Sequence, residues 1–434
     1  MKCLVTGAYG FIGSEVVAAL LHEEVTVIGC GRDLELARRI NPAIEWIACD
    51  FNTDVTPAHW LPRLAGIDAV VNCVGILQGN LRDDAERIHA DATIALFEAA
   101  SASGVRRIIH VSAVSAETDV PTAYAQSKAK ADAALSRLDV NWLIVKPSLV
   151  IGRGAYGGTS LMRGLAGLPF VLPLPGEGSE RFQPIALDDL ARGIAQLATR
   201  EEPARTVLHA AGPETLSLRE ILVGYRHWLG FGRAHVIVLP ISLLRLLLRL
   251  GDLAGYAGYV TSARSTSLAQ LRYDTLVDGS DFAAVAGGRI KGFEETLAAW
   301  PATLQDRLHA RSFFAVPLLQ IATALFWILS GVLTLTPSRF ASATTLVAGA
   351  GFGASMAKAV VAVGSIADIV VGALFLLPKW VRRAGVAQLI LSTIYLFGLS
   401  VVAPSLWADH FGPLLKVLPM MAATLVVMAF QEKR

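Results

Sequence analysis

Between Phe313 and Leu335 the chain runs for 23 residues without one charged side chain. At about 1.5 Å per residue, a helix of that length crosses the roughly 30 Å hydrocarbon layer of a bilayer. Three more apolar runs follow: Ala359 to Leu377, Ala384 to Ala403 and Phe411 to Phe430. Backbone in lipid must satisfy its own hydrogen bonds, so four such runs in succession predict an all-α, four-helix membrane domain over 312–434. Ser342 to Met356 is rich in Gly and Ala and reads as a short interfacial helix or an extension of the second span. Composition agrees, with 53% hydrophobic and only 17% charged residues, against about 25% charged in soluble domains.

Basic residues set the expected orientation. Arg307 and Arg311 precede the first span, Lys379, Arg382 and Arg383 fill the loop between the second and third, and Lys433 and Arg434 close the chain. The other two loops hold Arg339 and, from Pro404 to His410, no basic residue. Four spans then predict a multi-pass protein of the inner (plasma) membrane with the N-terminal domain and the C-terminus cytoplasmic. No signal peptide is expected, because Met1 to Gly7 already reads as a strand and its turn.

The first third has a different rhythm. Short apolar runs at Cys3-Leu4-Val5, Val25 to Ile28, Trp46 to Ala48, Ala69 to Val71, Ile108 to Val111 and Trp142 to Val145 alternate with helical patterns such as Ser14 to Leu21 and Ala85 to Ser103. That alternation predicts an α/β fold, a doubly wound parallel sheet with helices on both faces. From Gly152 to Leu308 the pattern loosens. Ala186 to Ala198 reads as a helix capped by Asp188 or Asp189. Val236 to Gly251 reads as an amphipathic helix, at the membrane surface or in a core. The expected domains are a nucleotide-binding core over 1–151, a substrate-binding subdomain over 152–311 and the membrane domain over 312–434.

A net charge of +2, with no Lys/Arg cluster interleaved with aromatics, argues against a nucleic-acid surface. Cys3, Cys30, Cys49 and Cys73 form no C-x-x-C pair and read as small buried thiols. The histidines, His89 and His110 among them, show no metal-ligand spacing, so no metal site is expected.

Chemistry concentrates after the first strand, in Thr6-Gly7-Ala8-Tyr9-Gly10-Phe11-Ile12-Gly13. Gly7 allows a tight turn, Gly10 lets a pyrophosphate approach the backbone and Gly13 permits close helix packing. The free N–H groups that open the helix, at Phe11 and Ile12, favour an anion. After the second strand stands Gly29-Cys30-Gly31-Arg32-Asp33 instead of an acidic residue at the usual place. Arg32 could pair with a 2′-phosphate, which favours NADP over NAD.

The G-x-x-G-x-x-G spacing resembles the extended and atypical short-chain dehydrogenase/reductase family, over about Met1 to Arg311. Further segments fall in that family's order: Asp50-Phe51, Asn72-Cys73-Val74-Gly75, Tyr124-Ala-Gln-Ser-Lys128 and Lys146-Pro147-Ser148, where the family usually has Arg before the Pro. The resemblance implies that Asp50 and Phe51 face the adenine, that Cys73, Val74 and Gly75 line the cofactor, and that Pro147 leads toward the substrate domain. It implies Tyr124 as proton donor or acceptor, with Lys128 lowering its pKa and holding the nicotinamide ribose. Ser112 is the preferred third catalytic residue, with Ser115 close behind. The wording around Val71 to Leu77 and Gly104 to Ala113 is similar to proteins like the NADPH-binding accessory subunit of respiratory complex I. Phe326 to Gly331, Ala367 to Gly372 and Phe411 to Lys416 resemble DoxX-like four-helix membrane proteins.

These resemblances imply a membrane-anchored NAD(P)-dependent oxidoreductase acting on a small-molecule substrate drawn from the lipid bilayer, such as a quinone, isoprenoid or lipid-linked compound. Two rivals stay open: a non-catalytic assembly or regulatory subunit of a respiratory or redox membrane complex, and a nucleotide-sugar epimerase or dehydratase. A third makes the bundle itself a carrier or channel. It rests on Asp368, an ionisable group inside the second span, which reads either as a polar or proton-linked site or as a structural bond to a neighbouring helix. Lys358, at a span end, is expected to snorkel.

Overall fold

The computed structural model describes all residues except 81, 82, 118, 119, 257, 260, 261, 411 and 432–434. The chain divides into two compact units, one of residues 1–256 and 260–310, the other of 257–259 and 311–434.

The first unit is built on seven parallel strands: β1 (Lys2–Thr6), β2 (Thr26–Gly31), β3 (Glu45–Ala48), β4 (Ala69–Asn72), β5 (Arg107–Val111), β6 (Asn141–Pro147) and β7 (Thr206–Ala210). Their order is β7-β6-β5-β4-β1-β2-β3. Nearly every residue of β1, β4, β5 and β6 is buried, as expected when helices cover both faces. The order reverses between β1 and β4, and ligands of such sheets bind outside the strand C-termini at that point. Two hydrophobic cores flank the sheet, one containing Val16, Leu20 and Ile194, the other Trp60, Leu96 and Phe97.

The segment after β6 has its own core, with Met162, Leu172, Phe182, Leu222, Tyr225 and Phe293. There Val171–Pro175 pairs in parallel with His235–Leu239. This corrects the single helix expected over Val236 to Gly251: its first residues form a strand, and the helix runs from Ile241 to Tyr256, with Pro240 marking the break. The helix Leu187–Thr199 starts ahead of both expected caps, with Ala186 at the cap position and no side-chain cap; Asp188 and Asp189 stand inside its first turn, where both carboxylates pair with Lys291, at 2.6 and 3.0 Å.

The second unit is helical. Leu304–Thr334, Ala354–Phe375 and Val381–Val402 are each long and apolar enough to cross a membrane. The run expected as a fourth span forms a helix only over the 13 residues Val417–Ala429, about 20 Å of rise. Gly412, in the left-handed region at φ +51°, and the turns that follow it delay its start. Phe411, Lys433 and Arg434 lie outside the described residues. Between the first two long helices sits a separate helix, Pro337–Ala348. A Cβ on Gly331 would stand 2.3 Å from Ser365 O, and one on Gly372 would stand 2.8 Å from Ala324 O. These glycines let two helices pack backbone against backbone, as membrane bundles do. Asp368 is buried and accepts a hydrogen bond from Tyr395 Oη on the next helix at 2.7 Å. Lys358 is exposed.

Candidate active site

The turn after β1 is held by its own backbone. Gly7 has φ +67°, and Gly10 N donates to Gly7 O at 2.8 Å. A Cβ on Gly13 would lie 2.1 Å from Gly7 O, so no larger residue fits. The helix Phe11–His22 starts at Gly10 with no side-chain cap, leaving its first N–H groups to an anion. This tight, uncapped, glycine-built helix start fits the pyrophosphate of a dinucleotide. Phe11 stacks on Tyr156 at 5.6 Å, and Gly152 abuts the same ring.

At the end of β2, Arg32 Nη1 pairs with Asp83 at 2.5 Å, and its backbone N–H donates to Tyr9 Oη at 3.2 Å. Asp33 accepts from Leu36 N at 2.9 Å as a helix cap, so its carboxylate is already engaged. Asp50 Oδ1 accepts from Asn52 N. Phe51 is buried edge-on against Trp60 at 5.1 Å, where it packs in the core.

Thr122 caps the helix Ala123–Leu135, which places Tyr124 and Lys128 one turn apart on one face. Lys128 Nζ donates to Val111 O at 2.8 Å and Val74 O at 3.2 Å, which ties it to the ends of β5 and β4. Gly75 lies over the ammonium; a Cβ there would come 3.5 Å from Nζ. Burial pulls the Lys128 pKa down to about 8. Burial and the charge of Asp132 push Tyr124 up to about 12. The phenol pKa is therefore raised, not lowered as expected.

Ser112 is buried and donates to Asp132 Oδ2 at 2.9 Å, so its hydroxyl is turned toward that carboxylate. Ser115 is buried as well. Pro147 ends β6 opposite Ala210, and the preceding Lys146 is buried between Asp132 at 2.9 Å and Glu117 at 3.0 Å. Burial raises the Asp132 pKa against the pull of Lys146.

His89, read from the sequence only as a possible metal ligand, sits on a π-helical turn, Arg87–Asp91. Its Nε2 accepts from Ile76 N at 2.9 Å, so the proton is on Nδ1, which lies 2.9 Å from Ser127 Oγ. Its ring meets Tyr124 edge-on at 5.3 Å. Burial and Lys128 hold its pKa down at about 2, so it is neutral. His89 thus braces the segment after β4 against the helix of Tyr124. The extra residue of a π turn is invisible to a 3.6-residue pattern. Among the described residues, no group of three His, Cys, Asp or Glu could hold a metal ion. Cys3, Cys30 and Cys49 are buried and Cys73 half-buried, all as free thiols.

Residues 7–164 match the NAD(P)H-binding family, and residues 324–425 match the DoxX-like family. The ceramide reductase of Caulobacter vibrioides is 28% identical over 240 residues, which are 54% of this chain and 73% of that protein. The fold is similar to that of MoeE5 in complex with UDP-glucose and NAD, with 21% identity, a TM-score of 0.52, and 69% of this chain and 96% of that one covered. It is also similar to the Citrobacter sp. triphenylmethane reductase complexed with NADP(H), with 17% identity, a TM-score of 0.53, and 69% and 99% covered. The nucleotide-binding site is therefore an NAD(P) site on a Rossmann sheet.

Proposed function

We propose that this chain, which joins an NAD(P)-binding Rossmann domain to a C-terminal DoxX-like domain, is a membrane-anchored reductase of a carbonyl on a bilayer lipid. The observation that carries this reading is the placement of Tyr124 and Lys128. They stand one helical turn apart beside Gly75, at the C-terminal ends of β4 and β5 and next to the glycine turn. Apolar helices and the ceramide reductase relative favour a ceramide-type substrate over a soluble one.

Bound NAD(P)H supplies the hydride. The amides of Phe11, Ile12 and Gly13 would hold the pyrophosphate. Lys128 would bring positive charge to the ribose side. Tyr124, protonated at neutral pH, donates its proton to the carbonyl oxygen as that oxygen becomes an alcohol, and recovers it from solvent. His89 keeps the Tyr124 ring and the segment after β4 in register. Arg32, beside an Asp33 already engaged as a helix cap, would favour the 2′-phosphate of NADPH by exchanging its pair with Asp83 for the phosphate. The N-terminal domain works on the cytoplasmic face.

The test is NADPH oxidation by the full chain in vesicles carrying a keto-ceramide or a quinone. Tyr124→Phe should lower turnover by about 10²–10⁴. Turnover that survives this change sinks the acid–base assignment. One observation favours the rival reading of a non-catalytic nucleotide-binding subunit in a redox membrane complex: the Ser112 hydroxyl is given to Asp132 rather than to the site. Tight NADPH binding without turnover on either substrate supports that rival.

A further inference from the structure

The helix Ile241–Tyr256 presents an unusual face. Leu243, Leu246, Leu247, Leu250 and Leu253 are 44–65% exposed, and their spacing puts them on one stripe. Arg245 and Arg249, also exposed, fall one turn apart along one flank of it. The opposite face is fixed to the first unit. Leu248 and Gly255 are buried; a Cβ on Gly251 would stand 1.9 Å from Ala263 O; and Asp252 pairs with Arg264 at 3.2 Å. The helix therefore cannot roll its leucines inward.

We propose that this stripe lies in the bilayer surface, at the boundary between headgroups and acyl chains, with Arg245 and Arg249 on lipid phosphates. A leucine stripe flanked by arginines is the pattern of an interfacial helix. The chain itself names the occupant. Three residues beyond Tyr256, Tyr259 Oη donates to Leu376 O at 2.8 Å and accepts from Gln320 Nε2 at 2.6 Å. Leu376 ends the span Ala354–Phe375 and is followed by Lys379, Arg382 and Arg383, the basic border of the spans. Three residues reach about 11 Å at most, so the C-terminal end of the helix is tethered at headgroup depth. Arg264, which clamps the helix, also donates to Gly79 O at 2.9 Å, in the segment that follows β4. Docking of the stripe therefore bears on the mouth of the nucleotide site. The inference stands whether or not that site is a reductase.

The test uses the full chain in lipid nanodiscs, with spin labels on Leu247→Cys and Leu250→Cys and, as a solvent reference, on Glu98→Cys. Background from the native thiols is measured on the unsubstituted chain. Collision rates with oxygen and with a water-soluble nickel chelate report depth. At Leu247 and Leu250 the oxygen-to-nickel ratio should exceed the Glu98 ratio several-fold. A ratio equal to that at Glu98 overturns the proposal, because the stripe is then in water. Low access to both probes also overturns it, since the stripe then packs on protein, and dipolar broadening between labels would identify a second copy.

Discussion

Replacing Lys146 by Met removes the ammonium that faces Asp132 at 2.9 Å and Glu117 at 3.0 Å, and keeps most of the alkyl chain. Glu117 is partly exposed and can be solvated by water. Asp132 is 7% exposed and, among the described residues, retains the Ser112 hydroxyl at 2.9 Å, neutral His110 at 3.6 Å and the more distant charge of Lys128. Stripping one partner from a buried pair costs about 3–5 kcal/mol. The solvated Glu117 places this case near about 3 kcal/mol. Unfolding entropy scales to about 0.6 kcal/mol per kelvin for about 300 residues, so Tm should fall by about 5 °C. Burial already holds the Asp132 carboxyl above its ordinary value, and loss of Lys146 raises it further. A raised carboxyl pKa penalises the folded state once the group ionises, so the penalty grows as pH rises and fades as pH falls through the folded pKa. The destabilisation should therefore shrink as pH is lowered into the acid range. A thiol-reactive dye suits the measurement, because every cysteine lies in the first unit and three of the four are buried. A Tm unchanged within about 1 °C, or a loss that does not shrink on acidification, would refute the reasoning.

Three further outcomes are expected. Gly13→Ala forces a Cβ to 2.1 Å from Gly7 O; backbone strain of about 1–3 kcal/mol weakens NADPH binding about tenfold to a hundredfold, measured by calorimetry. Reductase kcat/KM falls above about pH 8 as Lys128, its pKa lowered by burial, loses its proton; a flat profile through that range removes Lys128 from the chemistry. Arg32→Ala shifts the NADPH-to-NADH affinity ratio toward NADH by about tenfold, the worth of one charge-assisted contact, in parallel binding titrations.

Of the six strands visible in the sequence, the central β1, β4, β5 and β6 are buried almost throughout, as a parallel sheet covered on two sides demands, while the edge strand β3 is exposed at both ends and shows through Trp46 and Ile47. β7 was not visible: Thr206–Ala210 carries Thr and His and is only half-buried at its start. The glycine turn was legible because each glycine answers a steric demand that only glycine meets. The direction of the Ser112 hydroxyl was not, since it depends on Asp132 twenty residues away and on Lys146 from another strand. The break at Pro240 could have been read, as Pro disfavours helix before it. The shortened helix Val417–Ala429 follows from Gly412 and Pro413, which hydropathy alone ignores.

In the proposed reaction, Tyr124 and one further donor would share the carbonyl oxygen. The hydroxyl that the family's pattern offers for this, Ser112, donates to a carboxylate. A hydrogen bond to a charged partner is worth about 1.5–3 kcal/mol. If Ser112 swings to the substrate, that amount enters the barrier and slows the step about tenfold to more than a hundredfold. If it stays, Tyr124 alone polarises the carbonyl, and a substrate carrying its own hydrogen-bond donor beside the ketone gains the advantage. A long-chain amide lipid carries one in its N–H, and a simple quinone does not. Where the Asp132–Lys146 pair holds Ser112 in place, the ceramide-type substrate of the proposed function would therefore be preferred over a quinone on grounds independent of the membrane helices.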